Sequence, residues 1–305
     1  MKILVMGAGA VGSYFGARLQ DAGEEVVFCA RGEHLRAMRE RGLTIESFRG
    51  DFKGAVRATD DPHEFAPYDL VLFCVKAHHN DGAARSLIGC LAPGSAVLTL
   101  QNGVENEAQI AAILGRDAVM GGAARVGVEV VEPGRIVHLT DGEIEFGELS
   151  DTITERAERI AATFRRAGIL RALFTDLLTF RWNKLLWNSA FNTVTTLTLR
   201  TVGQIIDDPD GMRLIRTLMN ETMVVGIAEG AKIGQSNVEA LLAHSDNHLR
   251  PLKTSMRQDA ERGRRIEYDA LSGAVIRAAR RHGISVPATE TIYTLLKLLD
   301  VGERR

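Results

Sequence analysis

The sequence has few cysteines and prolines, no long apolar run and no excess of charge of either sign, and each scarcity removes a class of protein. Cys29, Cys74 and Cys90 are an odd number and lie far apart beside apolar stretches. That suits buried thiols in a reducing compartment and not a disulfide framework, so the cytoplasm is the expected location. The 7 prolines form no tract, and there is no internal repeat or low-complexity segment, which removes solenoids and disordered linkers. No apolar run approaches the about 18 residues that a membrane span requires. Met1-Lys2 and the apolar stretch after them would suit a secretory leader, but Gly7, Gly9 and Gly12 interrupt it at once, and it reads as a strand. With 37 basic against 39 acidic residues, a net of −2, neither nucleic acid nor an anionic bilayer is an expected partner. Acidic residues form no cluster at ligand spacing, and His78-His79 stands without other ligands nearby, so no metal is expected.

What remains is a globular composition, 45% hydrophobic and 25% charged over 305 residues, and a length that divides naturally into two domains. From Lys2 to Asp69 short β-branched runs alternate with helical spacing, the pattern of strands and helices around a parallel sheet. Ile3 to Met6 reads as a strand, Ala10 to Ala22 as a helix closed by Gly23, and Glu25 to Ala30 as a second strand. Leu70 to Val75 and Ala96 to Leu100 are apolar without alternation, as strands covered on both faces should be. Residues 118–150 read as an antiparallel meander with turns at Pro133-Gly134 and Asp141-Gly142. After a helix from Thr152 to Ala167 helical signals dominate. The expected fold class is α/β: an N-terminal Rossmann-type dinucleotide-binding domain over residues 1–174, then an all-α domain over 175–305.

The motif Gly7-Ala8-Gly9-Ala10-Val11-Gly12 is GxGxxG directly after the first strand and at the start of a helix. The first Gly permits the tight turn, the second lets backbone approach a pyrophosphate, and the third lets helix and strand pack closely. The N–H groups of Gly7, Gly9, Ala10, Val11 and Gly12 surround the helix N-terminus, where an anion is favoured. An NAD site usually carries Asp or Glu at the end of the second strand; here Ala30-Arg31 stands there. A guanidinium bonds a 2′-phosphate in two places, so the expected cofactor is NADP(H); the competing reading is an ordinary surface arginine. Lys76 ends one strand and Asn102 follows another, both at the carboxyl ends where open sheets bind ligands. Asn102 can donate and accept at once, although an Asn-Gly turn also arises for local reasons.

Phe180 to Leu199 is apolar around nearly the whole helical wheel. Lys184, Asn188 and Asn192, at i, i+4 and i+8, make one polar stripe spanning roughly 80°. Burying a lysine there is costly unless it is paired or lines a polar cavity, and burial lowers its pKa toward a value useful for proton transfer. The alternative is a lysine whose head reaches solvent, with two interface asparagines. A second amphipathic helix reads from Arg264 to Arg281, with Glu267 in its first turn, where it could hold a substrate hydroxyl or an ammonium, or only counter the dipole and pair with nearby arginines. Ser255 could donate to a substrate carboxylate.

Taken together these motifs resemble the ketopantoate reductase family over nearly the whole chain. GAGAVG, CVK ending at Lys76, QNG around Asn102, NKLLWN holding Lys184 and Asn188, TSMRQD with Ser255 and IEYDALSG with Glu267 occur in the family's order, and Ser255 and Glu267 stand 267 − 255 = 12 residues apart as the family has them. The resemblance implies an enzyme of pantothenate biosynthesis that uses NADPH to reduce a small 2-oxo acid, its carbonyl carbon receiving hydride from nicotinamide C4. It makes Lys184 the general acid, Glu267 the ligand of the substrate's primary hydroxyl, and Asn102, Asn188, Asn192 and Ser255 hydrogen-bonding groups for substrate. Leu252 stands where some members have a substrate-contacting Asn, and Arg257 replaces a usual apolar residue; both leave open which 2-oxo acid is reduced. A β-hydroxyacid dehydrogenase is disfavoured because Gly12-Ser13 lacks that family's Gly-Met pair. A non-catalytic NADP(H) sensor would not need Lys184, Glu267 and both asparagines. The assembly is left open, a homodimer being one form it allows.

Overall fold

The computed structural model describes residues 1–300. They form two compact units: Met1–Gln101 with Asn106–Leu177, and Asn102–Glu105 with the residues from Leu178 onward.

In the first unit, among the described residues, ten strands make one mixed sheet: β1 (Lys2–Met6), β2 (Glu25–Cys29), β3 (Leu43–Ser47), β4 (Phe52–Gly54), β5 (Arg57–Thr59), β6 (Tyr68–Phe73), β7 (Leu91–Thr99), β8 (Val119–Glu132), β9 (Arg135–Glu148) and β10 (Leu170–Phe174). The run β5-β2-β1-β6-β7 is parallel throughout. The order reverses on either side of β1, so the crevice between the carboxyl ends of β1 and β6 is the topological switch point where such sheets bind ligands. Ile3, Leu4, Val5, Leu70, Val71 and Leu72 are buried completely, as two-sided strands must be when helices cover both faces. Around them lie α1 (Ala10–Asp21), α2 (Gly32–Arg41), α3 (Asn80–Arg85), α4 (Asn106–Leu114) and α5 (Glu155–Arg166). The α/β class holds, and the far part of the sheet is mixed.

Three details differ from expectation. The segment 118–150 is a single long antiparallel hairpin, β8 against β9, turning at Pro133-Gly134. Asp141-Gly142 is a bulge inside β9, where the register shifts and both residues take positive φ, 58° and 116°; a bulge and a turn share Asp-Gly chemistry. The short strands β3, β4, β5 and β10 were not anticipated.

The second unit is helical: α6 (Leu177–Trp187), a π turn (Asn188–Asn192), α7 (Thr193–Thr198), α8 (Val202–Ile206), α9 (Pro209–Ala228), α10 (Gln235–His248), α11 (Ser255–Glu261), a second π turn (Asp269–Gly273), α12 (Ala274–His282) and α13 (Pro287–Leu299). Its core gathers Trp182, Leu186, Phe191, Ile215, Met219 and Val275. Caps set the helix ends. Asp208 accepts from the Asp210 and Gly211 amides at 2.9 and 2.8 Å, with Pro209 at the first helical position of α9. Glu221 of α9 accepts from Ala288 and Thr289 at 3.0 and 2.8 Å, so one helix satisfies the first turn of α13. Among the described residues no helix is long and apolar enough to cross a membrane.

Candidate functional site

In the first unit the glycine turn is forced by contacts. Gly7 has φ +93°, and a Cβ there would lie 2.7 Å from the Val75 amide nitrogen, so the chain leaving β1 can pass the residues just after β6 only with glycine. A Cβ on Gly12 would lie 2.5 Å from the Gly7 carbonyl oxygen. Gly9, the N-cap of α1, has nothing within 4 Å of its Cβ position and offers no side-chain cap to this twelve-residue helix, while its own amide donates to the Gly7 carbonyl at 2.8 Å. The turn is fastened from behind: Gly7 and Ala8 donate to the Cys29 carbonyl at 3.2 and 2.8 Å. Ala10 and Val11 are half-buried at the first helical positions. Arg31 follows β2, is exposed, and holds an extended backbone as N-cap of α2. A cradle without side chains, a helix N-terminus and an exposed guanidinium one strand away fit a dinucleotide with a phosphorylated ribose. Gly12→Ala is expected to weaken dinucleotide binding at least about tenfold, since the turn itself must move; fluorescence titration of the reduced dinucleotide reads this directly.

Lys76 is half-buried and begins the short turn Ala77–His79 after β6. A buried amide network missing from the sequence reading supports that loop. Gln101 donates from Nε2 to the Val75 carbonyl at 2.7 Å and to Asn80 Oδ1 at 2.6 Å, while Asn80 donates to Asn106 Oδ1 at 2.9 Å and Gln109 Oε1 at 2.7 Å. It joins the loops after β6 and β7, and buried amides satisfied in this way hold one arrangement. The Gln beside Asn102 was its only local signal.

In the second unit Lys184 is half-buried on α6, whereas Asn188 and Asn192 are 6% and 3% exposed in the π turn. The π turn changes the geometry expected of a regular helix. At about 100° per residue, Asn188 falls about 40° past Lys184. An i→i+5 turn advances only about 80° per residue, so Asn192 falls roughly 40° back again. On these ideal angles the stripe narrows to about half the width of a regular helix. Asn188 donates from Nδ2 to Asn102 Oδ1 at 3.3 Å, which joins two of the residues singled out from sequence.

Ser255 is the exposed first residue of α11. Thr254 caps that helix, accepting from the Arg257 amide at 3.4 Å, and its hydroxyl lies 2.7 Å from that of Thr195 on α7. Thr254→Ala is expected to cost about 2 kcal/mol, a cap plus a buried hydroxyl pair, measurable as a lower urea midpoint at unchanged slope. Glu267 is half-buried, but the helix expected from Arg264 begins only at Tyr268 and opens with the π turn, so Glu267 directly precedes the first turn and does not lie inside it. Leu252 is half-buried and packs on the helical core. Arg257 is buried with Nε 2.8 Å from Glu261.

A Rossmann-type sheet with a glycine turn at its switch point, followed by a helical unit with inward polar side chains, defines a dinucleotide-dependent oxidoreductase. The chain matches the family model for ketopantoate reductase PanE/ApbA over residues 3–151 and that for the PanE/ApbA C terminal over residues 176–300. It is 32% identical to the 2-dehydropantoate 2-reductase of Nostoc sp., covering 99% of this chain and 96% of that protein, and 33% identical to that of Halobacterium salinarum, covering 98% of each. The crystal structure of 2-dehydropantoate 2-reductase from Geobacter metallireducens superposes with a TM-score of 0.92 at 35% identity, over 98% of this chain and 99% of that one. The chain belongs to the ketopantoate reductase family. It is an oxidoreductase enzyme, and a nicotinamide dinucleotide is its cofactor class.

Proposed function

We propose that this chain catalyses the NADPH-dependent reduction of ketopantoate to pantoate, a cytoplasmic step of pantothenate biosynthesis. The observation that carries the reading is the Asn188 side chain bonded to Asn102 on the same helical run that holds Lys184 and Asn192, in a chain whose relatives are named for this reaction. When bound, the cofactor supplies hydride to the keto carbon. The residues 1–174 act as the cofactor domain and 175–305 supply most substrate contacts. The Gly7 and Gly9 amides hold the turn itself, so the Ala10, Val11 and Gly12 amides bind the pyrophosphate over a turn shaped by Gly7 and Gly9, Arg31 binds the 2′-phosphate, Lys76 the nicotinamide end, and Asn102 bridges the nicotinamide ribose and the substrate.

As hydride adds, the carbonyl π pair moves to oxygen. The Lys184 ammonium stabilises that charge and then gives its proton to the oxygen, and the amine is reprotonated from solvent. Asn188, Asn192 and Ser255 donate to the substrate's carboxylate and carbonyl oxygens, and Glu267 accepts from its primary hydroxyl. Leu252 favours a second reading in which a different 2-oxo acid is the substrate, because it offers hydrocarbon where some relatives carry an amide. NADPH oxidation followed by absorbance against ketopantoate and several other 2-oxo acids separates the two readings. Ketopantoate should give the highest kcat/KM; a preference for another acid would support the second, and oxidation with none would refute both.

A further inference from the structure

One guanidinium in the helical unit grips two segments that carry proposed substrate ligands. Asn102–Glu105 groups with the helical unit although the chain on both sides belongs to the sheet unit. Glu105, three residues after Asn102, is held by Arg277 of α12: Nε lies 3.1 and 3.2 Å from its two carboxylate oxygens, and Nη2 lies 2.7 Å from Oε2. The other edge of the same guanidinium takes Asp269. Nη1 donates to Oδ1 at 3.0 Å and Nη2 to the Asp269 carbonyl at 3.0 Å, while the Tyr293 hydroxyl donates to the same Oδ1 at 3.1 Å. Asp269 opens the second π turn, two residues after Glu267.

A fork of this kind fixes direction as well as distance, because its planar donors address two acceptors at set angles; a lysine in its place could not. The Arg277 side chain is 39% exposed and that of Asp269 56%, so screening leaves the pairs little weight in overall stability. Their geometric effect is local. Within the same unit Asn188 also donates to Asn102 Oδ1 at 3.3 Å. The surroundings also keep the space clear: a Cβ on Gly273 would overlap the Asp269 carboxylate and lie 3.0 Å from Arg277 Nη1.

We propose that Arg277 is a positioning residue for the reduction: by holding Glu105 and Asp269 together it fixes Asn102 relative to Glu267. The inference rests on Asn102 and Glu267 being substrate ligands, as proposed above. The test is a double-mutant cycle of Arg277→Met and Asn102→Ala, with hydrogen exchange measured on the single Arg277 variant. Arg277→Met should raise KM for the keto acid about tenfold, leave kcat within about twofold and weaken NADPH by no more than about threefold, since the pyrophosphate and 2′-phosphate contacts lie elsewhere. In the Asn102→Ala background it should add less than about twofold. Amides 102–105 should exchange at least about tenfold faster in Arg277→Met while α9 and α10 keep their protection. Arg277→Lys should resemble Arg277→Met, and Glu105→Gln should shift KM in the same direction. Additive effects in the cycle, or unchanged exchange at 102–105, would overturn the proposal. A wild-type protein inert toward every 2-oxo acid would instead refute the functional reading, and the exchange data would still decide whether Arg277 holds the segment.

Discussion

Lys184→Ala is expected to lower kcat and kcat/KM for the keto acid by about two to four orders of magnitude, with the dissociation constant of NADPH unchanged. The size follows from two functions lost together, the proton donor and the positive charge beside the developing alkoxide. Lys184 lies on α6 between buried neighbours, Trp182 on one side and Leu185 and Leu186 on the other. Removing a half-exposed side chain from that helix leaves a small defect, so folding should survive. Lys184→Arg separates the two functions, since it keeps the charge but cannot release a proton near neutral pH. It should recover about tenfold of the loss and no more. Full activity of either variant would remove Lys184 from the chemistry.

Arg31→Asp is expected to reverse cofactor choice, lowering the NADPH to NADH ratio of kcat/KM by about a hundredfold or more. Two charge-assisted bonds to the 2′-phosphate disappear and a carboxylate takes their place, repelling phosphate while offering the ribose 2′-hydroxyl an acceptor. The exposed, extended position of Arg31 after β2 makes the exchange tolerable to the fold. Most of the change should appear as a higher KM for NADPH. An unchanged ratio would show that the 2′-phosphate is read elsewhere.

The cofactor half was legible because its motif has local context: strand, three glycines and helix fall within Lys2 to Asp21, with Gly12 answering a contact inside that stretch and Gly7 one with the residues just after β6. The Lys184 stripe was legible for a related reason, since polar residues on an otherwise buried helix stand out by contrast. Its true phase was not, because a π turn leaves no periodic signature in a window read at 3.6 residues per turn. The second π turn, Asp269–Gly273, likewise hid the start of the helix after Glu267. Strands of three residues such as β4 and β5 are too short to alternate. Arg277 and Glu105 lie 172 positions apart, and nothing local in either segment announces the other.

Hydride transfer to the keto carbon is the step on which every assignment above depends. It is tested most directly by incubating the protein with ketopantoate and NADPH deuterated at nicotinamide C4, then reading the isotope in the product by mass spectrometry. The account predicts pantoate carrying deuterium at carbon 2 when the transferred face is labelled and none when the other face is. Unlabelled pantoate with both cofactors, or no pantoate at all, would contradict it.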